Sequence, residues 1–246
     1  MSTYNTNKTI IKNTPSDIEN EAYPCLTNKL FERLMKDNPN AKKIHYMCEE
    51  TGDMDEDIRV YTPKFIKPEL FSLLPKTLVK FNFIANENFN MTDEVVDHLI
   101  QCKNLRSINL NSFYNVTLEK LDRLFTGLPN ITELSIRFMM YYNKKSNMVM
   151  NNDLLKLLGN KCKKLRKLEM FILKKYNITE FHYLPKSIRY LDLMGDKIRI
   201  SLSKLNELYE SLPELKVFKN HVYRLNRKDM KFIENFRNDS FMDIDG

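Results

Sequence analysis

Apolar and polar positions along this chain follow one short pattern that returns seven times. A turn-forming start leads to an apolar residue, two free positions, a second apolar residue, one free position and a third apolar residue. The clearest copies are Cys102-Lys-Asn-Leu105-Arg-Ser-Ile108-Asn-Leu110, Leu128-Pro-Asn-Ile131-Thr-Glu-Leu134-Ser-Ile136 and Cys162-Lys-Lys-Leu165-Arg-Lys-Leu168-Glu-Met170. Leu74-Pro-Lys-Thr-Leu78-Val-Lys-Phe81-Asn-Phe83 and Leu184-Pro-Lys-Ser-Ile188-Arg-Tyr-Leu191-Asp-Leu193 repeat it. Weaker copies carry Ala41, Ile44 and Tyr46, and Leu215 and Phe218. The alternation that closes each copy has the period of two of a short strand.

Between the copies the apolar spacing changes to three and four, which predicts helices. Thr92 is a candidate N-cap for a helix carrying Val95, Val96, Leu99 and Ile100, with Asp93 and Glu94 at the positive end of its dipole. Leu118, Leu121, Leu124 and Phe125 form a second stripe, and Gly127 is placed where a left-handed C-cap is expected. The stretch 153–159 repeats that design, with Gly159 as its closing glycine. Ser203 opens a further helix through Leu205, Leu208 and Tyr209. Leu30, Phe31, Leu34 and Met35 predict one before the first copy, whereas the unit from Leu165 to Ile188 shows no helix. Strand, helix and parallel strand in alternation predict a right-handed solenoid whose units bury their apolar faces on one another.

The segment Met91-Thr-Asp-Glu-Val-Val-Asp-His-Leu-Ile-Gln-Cys102-Lys-Asn-Leu105-Arg-Ser-Ile108-Asn-Leu110 resembles the cysteine-containing, ribonuclease-inhibitor-like subclass of leucine-rich repeats. Its units run I-T-D-x-G-L…L…C-P-x-L-x-x-L-x-L, and the resemblance spans roughly residues 38–220. The resemblance implies an α/β horseshoe of about seven irregular repeats, with a parallel β-sheet on the concave face and helices on the convex one. It also implies a role like that of the repeat arm of F-box proteins, which selects substrates for ubiquitin ligases. That family places Asn or Cys three residues beyond the last apolar position of a copy. Asn86 fits, but Phe113, Met139, Leu173 and Asp196 occupy the place elsewhere. The apolar segment before the repeats is too short for an F-box and is expected to cap the first unit.

Composition narrows the function classes. The 246 residues carry a net charge of +7, and the pI is near 9.0. No apolar run reaches the roughly 20 residues of a membrane span, and the start of the chain lacks the apolar core of a secretory signal. The expectation is a cytoplasmic or nuclear protein. Cys25, Cys48, Cys102 and Cys162 form no CxxC pair, and the last two share one slot of the repeat, so both are expected to be buried thiols. His45, His98, His182 and His221 belong to no HExxH motif or nucleophile elbow, and His98 is expected on the surface. The expectation is therefore no catalytic residue, no metal and no cofactor. The acidic stretch 49–57 lacks the glycine and terminal glutamate of a calcium loop, since Ile58 and Lys64 stand in those places.

Binding residues are expected at the free positions, which point away from the core. They form three rows across the strands. Lys80, Glu133, Lys167 and Tyr190 lie in the first, Asn82, Asn109, Glu169 and Asp192 in the second, and Ile84, Arg137, Phe171 and Met194 in the third. Arg137, Phe171, Tyr190 and Met194 are the expected centre of a protein-binding patch, because exposed apolar clusters mark contacts. The insertion 138–150, rich in Met and Tyr, is a second contact candidate or an edge packed on the solenoid. The basic run 161–167, with Lys174 and Lys175 beyond, is the nucleic-acid candidate. Its charges are expected on the diverging faces of a turn and a strand, which makes nucleic acid the less favoured partner.

The resulting expectation is a mobile polar tail over residues 1–20, a repeat domain over 21–223 and a capping helix with tail over 224–246. The chain is expected to be a monomer within a complex, acting as an adaptor or substrate-receptor-like scaffold for a protein partner, with no membrane contact. A nucleic-acid-associated protein and a repeat-type inhibitor of an enzyme are the alternatives.

Overall fold

The computed structural model describes residues 17–20, 27–47, 66–84, 89–136, 152–172, 180–195, 198–199, 202–220 and 223–224. Its centre is an eight-stranded parallel sheet. The strands are β1 (Asp17–Asn20), β2 (Lys43–Met47), β3 (Lys80–Ile84), β5 (Ser107–Asn109), β7 (Glu133–Ile136), β8 (Lys167–Ile172), β9 (Tyr190–Gly195) and β11 (Val217–Asn220). They stand side by side in chain order, so each crossover leads to the adjacent strand. Every copy of the apolar pattern supplies one strand. The additional strand is β1, whose residues fall in the predicted polar tail but pair with β2 from Asp17↔Lys43 to Asn20↔Tyr46.

The crossovers contain the helices α1 (Asn28–Asp37), α2 (Asp93–Gln101), α3 (Leu118–Gly127), α4 (Asn152–Lys161) and α5 (Leu202–Ser211). Threonine starts three of them. Thr27, Thr92 and Thr117 accept from the amides of Leu30, Val95 and Lys120 at 3.2, 3.2 and 3.3 Å. Each hydroxyl takes one of the amides that a helix start leaves without an intrahelical partner. Where apolar periodicity is missing, 3-10 turns span the gap, at Pro68–Leu73 and at Phe181–Tyr183. Two short parallel ladders lie beyond the main sheet: β4 (Phe89–Asn90) with β6 (Phe113–Tyr114), and β10 (Ile198–Arg199) with β12 (Tyr223–Arg224).

The apolar positions of the repeat are the core. Leu105, Ile108, Leu110, Ile131, Leu134, Ile136, Leu165, Leu168 and Met170 are all buried. Near the N-terminal end phenylalanine replaces leucine, and Phe31, Phe71, Phe81, Phe83, Phe89 and Phe113 form one continuous cluster. The Phe81–Phe83 ring centroids are 4.9 Å apart and the Phe89–Phe113 centroids 5.0 Å. The turn polar group that the repeat pattern misses at Phe113 is supplied one residue earlier. Ser112, 1% exposed, donates from Oγ to Phe83 O at 2.7 Å, which satisfies a buried carbonyl of the preceding strand.

Two glycines differ from their expected role. Gly127 is the last residue of α3, with Leu128 as C-cap at φ −126°, and Gly159 lies inside α4. Neither has a left-handed backbone; among described glycines that geometry occurs at Gly195, φ 132°. Close packing explains both residues. A Cβ at 127 would overlap the Ile100 side chain of α2, and one at 159 would overlap the Tyr183 carbonyl. Among the described residues, no helix is long and apolar enough to cross a membrane.

Candidate interaction face

The strand register brings the predicted rows together. Lys43, Lys80, Ser107, Glu133, Lys167, Tyr190 and Val217 are partners in one continuous row. In the next row His45 pairs with Asn82, Asn109 with Ser135, Ser135 with Glu169, Glu169 with Asp192 and Asp192 with Lys219. Of the third row, the register pairs Phe171 with Met194. The side chain of Ile84, together with Arg137, His221, the insertion 138–150, the acidic stretch 49–57, Lys174 and Lys175, lies outside the described residues, as do Cys25 and Cys48.

From β2 to β7 the face is a polar ladder. Asn82 donates from Nδ2 to His45 Nδ1 at 2.6 Å, so that nitrogen is the acceptor. Asn109 Nδ2 donates to Asn82 Oδ1 at 2.6 Å, and the Asn111 amide donates to Asn109 Oδ1 at 2.8 Å. Asn111 Nδ2 reaches Ser135 Oγ at 3.1 Å, and Ser107 Oγ donates to Glu133 Oε2 at 2.9 Å. These short side chains spend their hydrogen bonds on each other. They leave little capacity to anchor a partner.

Across β8 and β9 the character changes. Lys167, Glu169 and Phe171 stand opposite Tyr190, Asp192 and Met194. Lys167 Nζ is 2.8 Å from Glu169 Oε1 and 4.9 Å from the Tyr190 ring centroid, a cation–π arrangement. Burial disfavours the charge on Lys167, but the hydrogen bond and charge of Glu169, with Tyr190 and Glu133 nearby, outweigh it and raise the pKa above the usual lysine value. Asp192 is 4% exposed although it belongs to the outward row.

The expected exposed apolar cluster needs correction. Phe171, Tyr190 and Met194 are half-buried, and Tyr183 is the exposed large apolar residue among those described. The cause is lateral packing. Strands about 4.8 Å apart bring neighbouring side chains into contact, and the Lys167 ammonium lies over the Tyr190 ring. His98, expected on the surface, has a side chain only 19% exposed, with Nε2 3.6 Å from Glu94 Oε1.

Two features escaped the reading of the rows. A cleft of about 660 Å³ opens between α4 and the 3-10 turn Phe181–Tyr183, lined by Lys156, Lys163, His182, Tyr183 and Lys186. Lys156 Nζ lies 5.0 Å from the Tyr183 ring centroid. The second feature is at the edge where the strands begin. Backbone amide-to-carbonyl bonds join Lys42, Val79, Arg106, Thr132, Arg166, Arg189 and Lys216 into one row. The charges of the 161–167 run therefore do not simply diverge, because Arg166 falls in register with Arg106 on one side and with Arg189 and Lys216 on the other. The signal was present in the sequence as the residue one before each strand.

Cys102 and Cys162 are free, buried thiols. Desolvation pushes the Cys102 pKa to about 11, against a smaller opposing influence of Lys76, and that of Cys162 to about 12. At neutral pH neither is a nucleophile, because the thiolate is the reactive form. Among the described residues no group of three or more His, Cys, Asp and Glu is arranged to hold a metal ion.

No family model matches this chain, and no curated protein matches it. Among solved structures, a Bacteroides fragilis protein aligns with 93% of this chain and 74% of its own, at 14% identity and a TM-score of 0.47. An internalin of Listeria monocytogenes aligns with 94% of this chain and 82% of its own, at 12% identity and a TM-score of 0.28. Neither likeness assigns the chain to a family.

Proposed function

We propose that this chain is a leucine-rich-repeat-type horseshoe that acts as a non-catalytic protein-recognition module, with the β8–β9 part of the outward sheet face as its contact site. One observation carries the reading. Beside a self-satisfied polar ladder, Lys167, Glu169 and Phe171 meet Tyr190, Asp192 and Met194 in register. Aromatic side chains beside a partly desolvated ion pair are the composition of interface hot spots. The surrounding short polar residues suit a rim that excludes water without adding much affinity. The broader role is that of an adaptor or substrate-receptor-like scaffold within an intracellular complex.

The test is a tagged full-length chain purified from its native cells, with bound proteins quantified by mass spectrometry. It is compared with a Phe171→Ala/Tyr190→Ala variant. A stoichiometric partner should be recovered with the native chain and lost by at least tenfold with the variant, while the melting temperature stays within a few degrees. Ubiquitin-ligase subunits in the recovered complex identify the substrate-receptor form, and a single enzyme identifies an inhibitor. Undiminished recovery with the double variant refutes the site. A large stability loss shows that these two rings are core.

A further inference from the structure

The strand-start edge carries a charge pattern that the proposed protein-contact face does not use. The row Lys42–Val79–Arg106–Thr132–Arg166–Arg189–Lys216 is held by consecutive interstrand bonds, with Arg106 N to Val79 O at 2.8 Å, Arg166 N to Thr132 O at 2.8 Å and Lys216 N to Arg189 O at 2.8 Å. The turns just before the row add Lys76, Lys103, Lys163, Lys164 and Lys186, all exposed. Glu214 is the one carboxylate in these turn-to-row segments, and it pairs with Arg189 at 2.9 Å. Six interstrand steps of about 4.8 Å make this edge about 29 Å long.

Local structure explains part of the charge. The strand-start edge is also where helices end, and cations suit the negative end of a helix dipole. Lys103 Nζ reaches Gly127 O and Lys163 Nζ reaches Gly159 O, both near helix ends, whereas Arg106 Nη1 reaches the turn carbonyls of Lys103 and Leu105. That account does not extend to Lys42, Arg166, Lys186 and Lys216, which have no carboxylate partner among the described residues. Arg166, Arg189 and Lys216 stand on consecutive strands, and only the middle one is neutralised, by Glu214, so this end of the row keeps a positive excess that a polyanion can meet.

We propose that this row binds the sugar-phosphate backbone of single-stranded nucleic acid. A single line of cations follows a single line of phosphates. Val79, partly buried, is the single apolar residue within the row, so contact there must draw its affinity mainly from charge. A polyphosphate supplies that through released counterions, whereas an acidic protein surface depends on buried anchors. The exposed Tyr183 and the cleft containing Lys163 and Lys186 adjoin the row and give a neighbouring base a place to settle. Five phosphate contacts correspond to a slope of log affinity against log salt of about −3.5 for a single strand.

The test is fluorescence anisotropy of a labelled 20-nucleotide single-stranded RNA of mixed sequence, titrated with the full chain. Binding should be saturable at 50 mM salt and about 100-fold weaker at 200 mM. Lys164→Gln/Arg166→Gln/Lys186→Gln should weaken binding at least tenfold and reduce the slope by about 2. Arg166→Gln alone, at an exposed position, should weaken it about threefold and keeps the test open if the triple variant folds poorly. The charge-matched control Lys29→Gln/Lys36→Gln/Lys120→Gln, on helices α1 and α3, should stay within twofold. Absence of saturable binding at 50 mM salt would overturn the proposal, as would row variants that bind like the native chain. Polyglutamate of equal charge competing as well as unlabelled RNA would overturn it too, and would mark the row as a site for acidic protein.

Discussion

Gly159→Ala tests the close approach of α4 to the turn Phe181–Tyr183. Residue 159 is inside α4, where alanine is intrinsically better than glycine by about 1 kcal/mol. An alanine Cβ would overlap the Tyr183 carbonyl, which belongs to a 3-10 turn pinned by Tyr183 N to Glu180 O at 3.2 Å and Leu184 N to Phe181 O at 2.9 Å. Phe181 and Leu184 are 0% and 2% exposed, so the turn cannot retreat without disturbing core side chains. Overpacking costs about 1–3 kcal/mol, and rigid backbone puts this case at or above the upper end. The net loss is about 2 kcal/mol after the propensity gain, or roughly 4–8 °C in melting temperature for a chain of this size. Gly127→Ala is the matched comparison. Its obstacle is the Ile100 side chain, which can change rotamer, so the gain and the cost cancel to within about 1 kcal/mol. Differential scanning calorimetry of both variants, with urea melts to check that the m-value is unchanged, supplies the measurement. A Gly159→Ala protein that melts at or above the native temperature would refute the close approach of α4 to the Tyr183 turn.

Phe71→Ala, which removes a ring 5.4 Å from Phe89 and 5.5 Å from Phe31, should destabilise by about 3–5 kcal/mol in urea unfolding. Ser112→Ala leaves the buried Phe83 carbonyl without its hydroxyl donor and should cost about 1–3 kcal/mol by the same measurement. Cys102 and Cys162 should resist iodoacetamide at pH 8 in the folded chain and react promptly in urea, as read by mass spectrometry. Their raised pKa values have a sign for stability. The unfolded thiols ionise near 9, the folded ones only at about 11 and about 12, so the melting temperature should fall as pH rises above about 9. Tyr209, whose hydroxyl burial also pushes upward, acts in the same direction at higher pH.

The strands were legible because an apolar pattern of period two leaves few alternatives. The rows through Lys80 and Asn82 match the observed register, since equal spacing from the first apolar residue to the strand in every copy aligns equivalent positions. One helix start was legible at Thr92, where a short hydroxyl precedes an apolar stripe, whereas the equivalent cap at Thr117 was not singled out. The glycines were misread because Gly127 and Gly159 look alike in sequence whether they serve a left-handed turn or a close approach. Strand β1 was hidden for a different reason, since Asp17–Asn20 is polar on most positions and gains its order from pairing with β2.

Order along the sheet and the composition of each row are thus properties of the repeat itself, because stacking units with the same apolar spacing aligns equivalent positions. Exposure was decided elsewhere. Tyr190 and Phe171 stand at free positions yet are half-covered, since a side chain on one strand is shielded by its neighbours on strands far away in sequence. The same lateral neighbourhood brought residues separated by some twenty or thirty positions, such as Arg166 and Arg189, side by side on one edge rich in basic residues. Whether a charge stands alone or in a row is a property of register, and register exists only once the strands have paired.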